Sequence, residues 1–296
     1  MELAIHNWMR AESLEHTLNR ISKLDYTYLE IQGAPESYDA QKVKLQLDKY
    51  GIKCWGSVTL MLEERNLLAK DPAQRKMSIK YVKDLVKMVS DLGGSVISLV
   101  PATVGKIIPD ATPEQEWEWA VEGVQEIYKY TEDLGLRIGI EPINRFETYF
   151  INRGEQALAL AEAVGPNCGV CLDTFHMNME EVDMFETIKK VGNRLVNFHV
   201  ADNNRMAPGM GHLNWKKIID TLREINYNKV LSVEFCAPLD RTPANPFPNS
   251  IETNPEGLTA EQKKFLEDHG SSAITDEFYT MLTKKSMETL TKLINK

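Results

Sequence analysis

The 296-residue sequence has no excess of positive charge: 34 Lys and Arg stand against 43 Asp and Glu, a formal net charge of -9. A polyanion meets net repulsion from such a surface, so a nucleic-acid partner is not expected. No stretch approaches the roughly 18 consecutive apolar residues of a membrane-spanning helix, and no membrane role is expected either. The opening Met1-Glu2-Leu3-Ala4-Ile5-His6 has neither a basic start nor a signal-type apolar run, which makes a cytoplasmic location the expectation. Cysteine is scarce. Cys54, Cys168, Cys171 and Cys236 all lie in apolar runs and read as reduced, buried thiols. Cys168 and Cys171 are spaced C-x-x-C, but in a strand that separation puts the two side chains on opposite faces, a poor geometry for a redox pair or a zinc site. No glycine-rich dinucleotide fingerprint follows the first strand-like run. At 43% hydrophobic and 26% charged the composition is globular, and disordered, collagenous and coiled-coil classes are excluded.

What is present is an alternation. Short β-branched or aromatic runs near 3–8, 26–31, 52–59, 95–100, 137–141, 169–173, 195–200 and 230–235 are each followed by a longer segment with helical spacing of apolar residues. The helical segments fall near 13–24, 39–50, 71–92, 113–134, 154–164, 180–191, 215–225 and 276–293. Thr112-Pro113-Glu114-Gln115 reads as an N-cap with Pro at the first helical position, and Gly51, Gly93 and Gly135 read as helix stops. Eight βα units in a chain of this length predict an α/β fold closed into a single-domain (β/α)8 TIM barrel over residues 1–296, with an open doubly wound sheet as the alternative. One segment breaks the rhythm. Residues 236–275, including APLDRTPANPFPNSIETNPEGLT and a helix-like patch EQKKFLED, form a long Pro-rich excursion after strand eight, on the face where barrel active sites sit.

The chemistry is expected at the ends of the late strands. Strand five ends in Glu141, strand six in Asp173, strand seven carries His199 and strand eight carries Glu234, each about one βα unit from the next. Barrel closure would bring all four to one rim. Three carboxylates there repel one another and raise each other's pKa unless a cation neutralises them. An oxygen-rich set with one imidazole suits Mn²⁺, Co²⁺ or Mg²⁺ better than a structural zinc. Glu147, His176 and Arg205 lie in loops of the same face and are, by type, binders of hydroxyls and carbonyls. Trp8, Trp55 and Trp215 are candidate apolar walls for a sugar ring, while Trp117 and Trp119 read as core or interface. The run Pro208-Gly209-Met210-Gly211 offers backbone donors but has no Lys or hydroxyl cluster beside it, which favours an unphosphorylated substrate.

At these residues the sequence resembles the xylose-isomerase-like sugar isomerase/epimerase superfamily, and within it the ketose 3-epimerases. The motifs that carry the resemblance are IEPINRFET, CLDTFHMNMEE, NFHVADNNRMAPGMGHLNW and VEF, about a third of the chain. The resemblance implies that Glu141, Asp173, His199 and Glu234 bind Mn²⁺ or Co²⁺, that Glu141 and Glu234 also shuttle a proton, and that Glu147, His176 and Arg205 hold the substrate. The opening AIHNWM and the strand-four exit LVPATVGK depart from those epimerases, as does the Pro-rich excursion. A related branch, the catalytic subunits of C-glycoside deglycosidases, is similar as well. It implies a lyase that acts on a 3-oxo-C-glycoside and works with a small β-subunit.

Both readings begin with removal of a proton next to a carbonyl. Elimination would add a general acid, for which His6, His176 and His212 are candidates. The superfamily prior is a homo-oligomer; a hetero-oligomer belongs to the lyase reading. Two further classes share such a barrel: an endonuclease for abasic DNA, disfavoured by the charge and by only six His, and a non-catalytic sugar-binding barrel.

Overall fold

In the computed structural model, which describes residues 1–251, 257–260, 263 and 273–295, eight strands are buried almost throughout. They are β1 (Glu2–His6), β2 (Tyr28–Gly33), β3 (Lys53–Thr59), β4 (Val96–Leu99), β5 (Arg137–Ile140), β6 (Gly169–Asp173), β7 (Leu195–Val200) and β8 (Val230–Val233). Every residue of β4, β6, β7 and β8 is buried, as expected where one face of a parallel strand meets covering helices and the other fills the barrel. All neighbouring pairs are parallel, and β1 pairs with β8 to close the barrel in sequence order. The helices around it are α1 (Leu14–Ile21), α2 (Ala40–Tyr50), α3 (Pro72–Asp91), α4 (Pro113–Asp133), α5 (Gly154–Val164), α6 (Thr174–Glu180), α7 (Met184–Val191), α8 (Trp215–Glu224) and α9 (Asp276–Ile294).

The alternation is therefore as expected, with local corrections. The expected helix at 180–191 is α7, which starts later at Met184 on its cap Asp183, and a short α6 that was not expected precedes it, capped by Asp173 directly after β6. Asp173 accepts from the N–H groups of Phe175 and His176, so its carboxylate starts a helix at the rim. Strands five and eight stop at Ile140 and Val233, leaving Glu141 and Glu234 just past their last residues. The Thr112 capping box and the left-handed Gly51 at the end of α2 are as the sequence implies. Gly139 has a packing reason: a Cβ there would lie 2.7 Å from Val196 and 3.0 Å from the backbone nitrogen of Cys171. Of the thiols, Cys54, Cys168 and Cys171 are buried, but Cys236 is only half-buried because it lines a cavity. The helix-like patch at 261–268 lies outside the described residues apart from Lys263. No described helix is long and apolar enough to cross a membrane.

The seam where β8 meets β1 is tied by charge. Arg20 on α1 is bidentate to Glu12 and also donates to Asp276 at the start of α9. Burial opposes ionisation of Glu12, yet the bond to Arg20 holds its carboxyl below the usual carboxylate range. Such a group stabilises the fold above its unfolded pKa, and the contribution disappears as pH falls through the folded value. Glu12→Gln should therefore cost about 2–3 kcal/mol near pH 7. Melting curves should show that gap to the parent protein closing toward pH 3. A pH-independent gap would count against the ion pair as its origin.

Candidate metal and acid-base centre

The rim of the barrel brings Glu141, Asp173, His199 and Glu234 together. All four are buried, and one ligand atom from each lies within 4.8 Å of the others. His199 Nδ1 stands 2.9 Å from Glu141 Oε1 and 3.2 Å from Glu234 Oε2. Glu141 Oε2 and Asp173 Oδ2 are buried without a hydrogen-bond partner. Burial, then the charge of Glu234, pushes Asp173 up to about 8, and burial raises Glu141 as well. Orphaned carboxylate oxygens that resist ionisation are what a divalent cation would relieve, so the donor set fits one.

Above this centre opens a cavity of about 440 Å³ whose lining includes Glu141, Glu147, His176, Arg205 and Glu234. Arg205 donates to Glu147 at 3.0 Å and lies 4.6 Å over the ring of Phe175. His176 Nδ1 faces the backbone N–H of Asn144 at 3.2 Å. That donor requires a lone pair on Nδ1, leaving the proton on Nε2. Burial, then Arg205, lowers the pKa of His176 well below the ordinary value, so the ring is neutral. Asn144 also donates to Glu147 at 2.7 Å, linking two expected substrate binders. The opposite wall is apolar and comes from β3, β4 and their loops, including Val58, Leu60, Leu62, Val100 and Val104. A larger hollow of about 940 Å³ lies beside α3, and none of the rim residues opens into it.

Not every expected residue is there. Trp8 lines the cavity, and its indole N–H donates to Glu234 Oε1 at 3.0 Å. Trp55 sits near the start of β3 and bonds Asn197 inside the barrel, while Trp215 caps against Asp202; neither walls the cavity. Placement separates them: Trp8 follows the carboxyl end of β1, Trp55 lies near the start of β3 and Trp215 opens α8, which residue type does not reveal. His212 is exposed and outside the cavity, so it is removed as a general-acid candidate. The backbone N–H of Gly209 is bonded to Asp202 and is not free for an anion. His6 is buried edge-on against His199, with ring centroids 4.7 Å apart. The residues that sequence reading missed are Glu30, Ser98, Asn144 and Asn197. For three of them the signal was available: a polar residue in the middle of an otherwise apolar strand.

A closed parallel barrel with clustered carboxylates and an imidazole at the carboxyl ends of its strands defines a (β/α)8 enzyme with acid-base capacity. Residues 18–269 match the family model described as xylose isomerase-like TIM barrel. The chain is 32% identical over 233 residues to a D-psicose 3-epimerase of Ruminiclostridium cellulolyticum, covering 74% of this chain and 77% of that one. It is 24% identical over 231 residues to a 3-dehydro-D-guloside 4-epimerase of Escherichia coli, covering 73% and 84%. In three dimensions it resembles a D-psicose 3-epimerase solved with D-tagatose from Clostridium cellulolyticum, with a TM-score of 0.80, 24% identity and 99% of each chain covered. The chain belongs to the xylose isomerase-like TIM barrel family, in its ketose 3-epimerase-like branch. It is an enzyme of the sugar epimerase and isomerase class.

Proposed function

We propose that the protein is a divalent-metal-dependent epimerase or isomerase of a ketose or keto-sugar, moving a proton on the carbon next to the carbonyl. The observation that carries this is the buried set Glu141, Asp173, His199 and Glu234, two of whose carboxylate oxygens lack any partner beside a substrate-sized cavity. These four residues would hold the ion, Mn²⁺ first and Co²⁺ or Mg²⁺ next by the hardness of the donors. When bound, it supplies Lewis acidity at the substrate carbonyl, without which a carboxylate is too weak a base for a carbon acid. Glu141 and Glu234 flank the centre; one takes the proton and the other returns it on the opposite face, with roles exchanged in the reverse direction. Glu147 accepts from sugar hydroxyls, and Arg205 and the Nε2–H of neutral His176 donate to sugar oxygens. A homo-oligomer is the assembly this reading favours.

A second reading draws support from the cavity's apolar wall at Val58, Leu60, Leu62, Val100 and Val104. A free ketose presents hydroxyls on nearly all its surface and gains little there. A 3-oxo-C-glycoside would place its aromatic aglycone on that wall. After the same proton removal, the bond from the anomeric carbon to the aglycone would break, its electron pair and a proton going to the aglycone. A small β-subunit belongs to that reading.

The deciding measurement is NMR in D₂O with Mn²⁺-loaded protein, free ketoses, keto-inositols and oxidised glycosides, and a chelator control. Deuterium next to the carbonyl together with the epimer, only with metal, supports the epimerase. Release of aglycone from an oxidised glycoside, with free sugars inert, replaces it with the lyase.

A further inference from the structure

The metal reading leaves one buried charge without a task. Glu30, in the middle of β2, is fully buried on the interior side of His199, and it does not line the cavity. An unpaired carboxylate at that depth would be costly. It is held by Asn197, whose Nδ2 stands 3.1 and 2.9 Å from its two oxygens, and it lies 3.2 Å from His199 Nε2. The orientation of the Asn197 amide is set by its other partners. Asn197 Oδ1 already accepts from the indole N–H of Trp55 and from the N–H of Phe198, both at 2.9 Å, so its amide nitrogen must face Glu30. Glu30 can only accept, so its 3.2 Å contact to His199 is a hydrogen bond when Nε2 carries the hydrogen; Asn197 Nδ2, 3.0 Å from that nitrogen, is then a second donor beside it to the same carboxylate. His6 packs edge-on against the ring at 4.7 Å and hinders its rotation.

We propose that Glu30 is the positioning residue of the metal centre, pinning the hydrogen of His199 on Nε2 so that Nδ1 is the nitrogen offered between Glu141 and Glu234. The inference rests on the metal reading above. Glu30 does not line the cavity; of the four ligands its close contact is the imidazole of His199, while His6, 3.6 Å away, separates it from Glu234. A carboxylate behind a ligating histidine both orients the ring and raises its basicity as a donor.

The test uses the full chain stripped of metal. Glu30→Gln keeps the volume and one acceptor but loses the charge; Glu30→Met loses both. Isothermal titration with Mn²⁺ should show Kd rising about ten- to a hundredfold for Glu30→Gln and further for Glu30→Met. The visible absorption of the Co²⁺-loaded variants should shift, and at saturating Mn²⁺ KM should stay near the parent value. Melting curves of the metal-free variants separate this from a purely structural role. A lower melting temperature with unchanged Mn²⁺ affinity, or an unchanged affinity alone, overturns the proposal while leaving the metal reading intact. A parent protein that binds no Mn²⁺ overturns both.

Discussion

Replacing Glu141 or Glu234 by Gln should each reduce turnover by about 10²–10⁴-fold, the usual worth of a positioned acid or base. Gln keeps the volume and an oxygen that can still face the ion, so the substitution removes proton transfer more than architecture. The assay is deuterium incorporation in D₂O, with metal content measured on the same samples. The comparison that gives the loss its meaning is Glu147→Gln. Glu147 is half-buried on the cavity wall, 3.0 Å from Arg205, and its replacement should act mainly on KM. If Glu141→Gln and Glu234→Gln, with metal bound, both turned over at near the parental rate, the assignment of the proton carriers would be wrong.

Removing the metal should be as severe and should show in stability as well as activity. Chelation leaves Glu141, Asp173 and Glu234 buried around one imidazole, with Glu141 Oε2 and Asp173 Oδ2 unpartnered. At a metal concentration near 100 times Kd, binding contributes about 2.7 kcal/mol to the folded state. For a chain of this size that is a rise in Tm of roughly 4 °C. Deuterium exchange should fall to background on chelation and return with Mn²⁺, with Co²⁺ and Mg²⁺ less effective. Identical melting and identical exchange after exhaustive chelation would exclude an ion at this centre.

The large part of this arrangement that was legible in the sequence follows from periodicity. Glu141, Asp173, His199 and Glu234 recur one βα unit apart, and a closed barrel turns that linear spacing into a ring. What is lateral across the barrel was not legible. Glu30 and Asn197 lie on β2 and β7, 167 positions apart, and only the closed sheet shows that they share hydrogen bonds. Trp8, Trp55 and Trp215 look alike as letters, but one follows β1, one is near the start of β3 and one opens α8, and only Trp8 reaches the cavity. The short α6 after β6 follows from Asp173 itself, a strand end that is also an N-cap. The polar residues inside apolar strands, Glu30 in YLEIQG and Asn197 in LVNFHV, are the signal that goes beyond periodicity.

The seam between β8 and β1 has a consequence for how the enzyme comes into being. Trp8, whose indole fixes one oxygen of Glu234, is separated from it by 226 positions, and the Arg20–Asp276 bond spans 256. Contacts of such long range carry the greatest loop-closure entropy and favour slow, late steps of folding. The carboxylate just past β8 thus acquires its orientation from the segment synthesised first, and only when the circle of strands closes. Catalytic competence is in this sense a property of closure: a chain can have most of its helices formed and still lack a properly aimed Glu234.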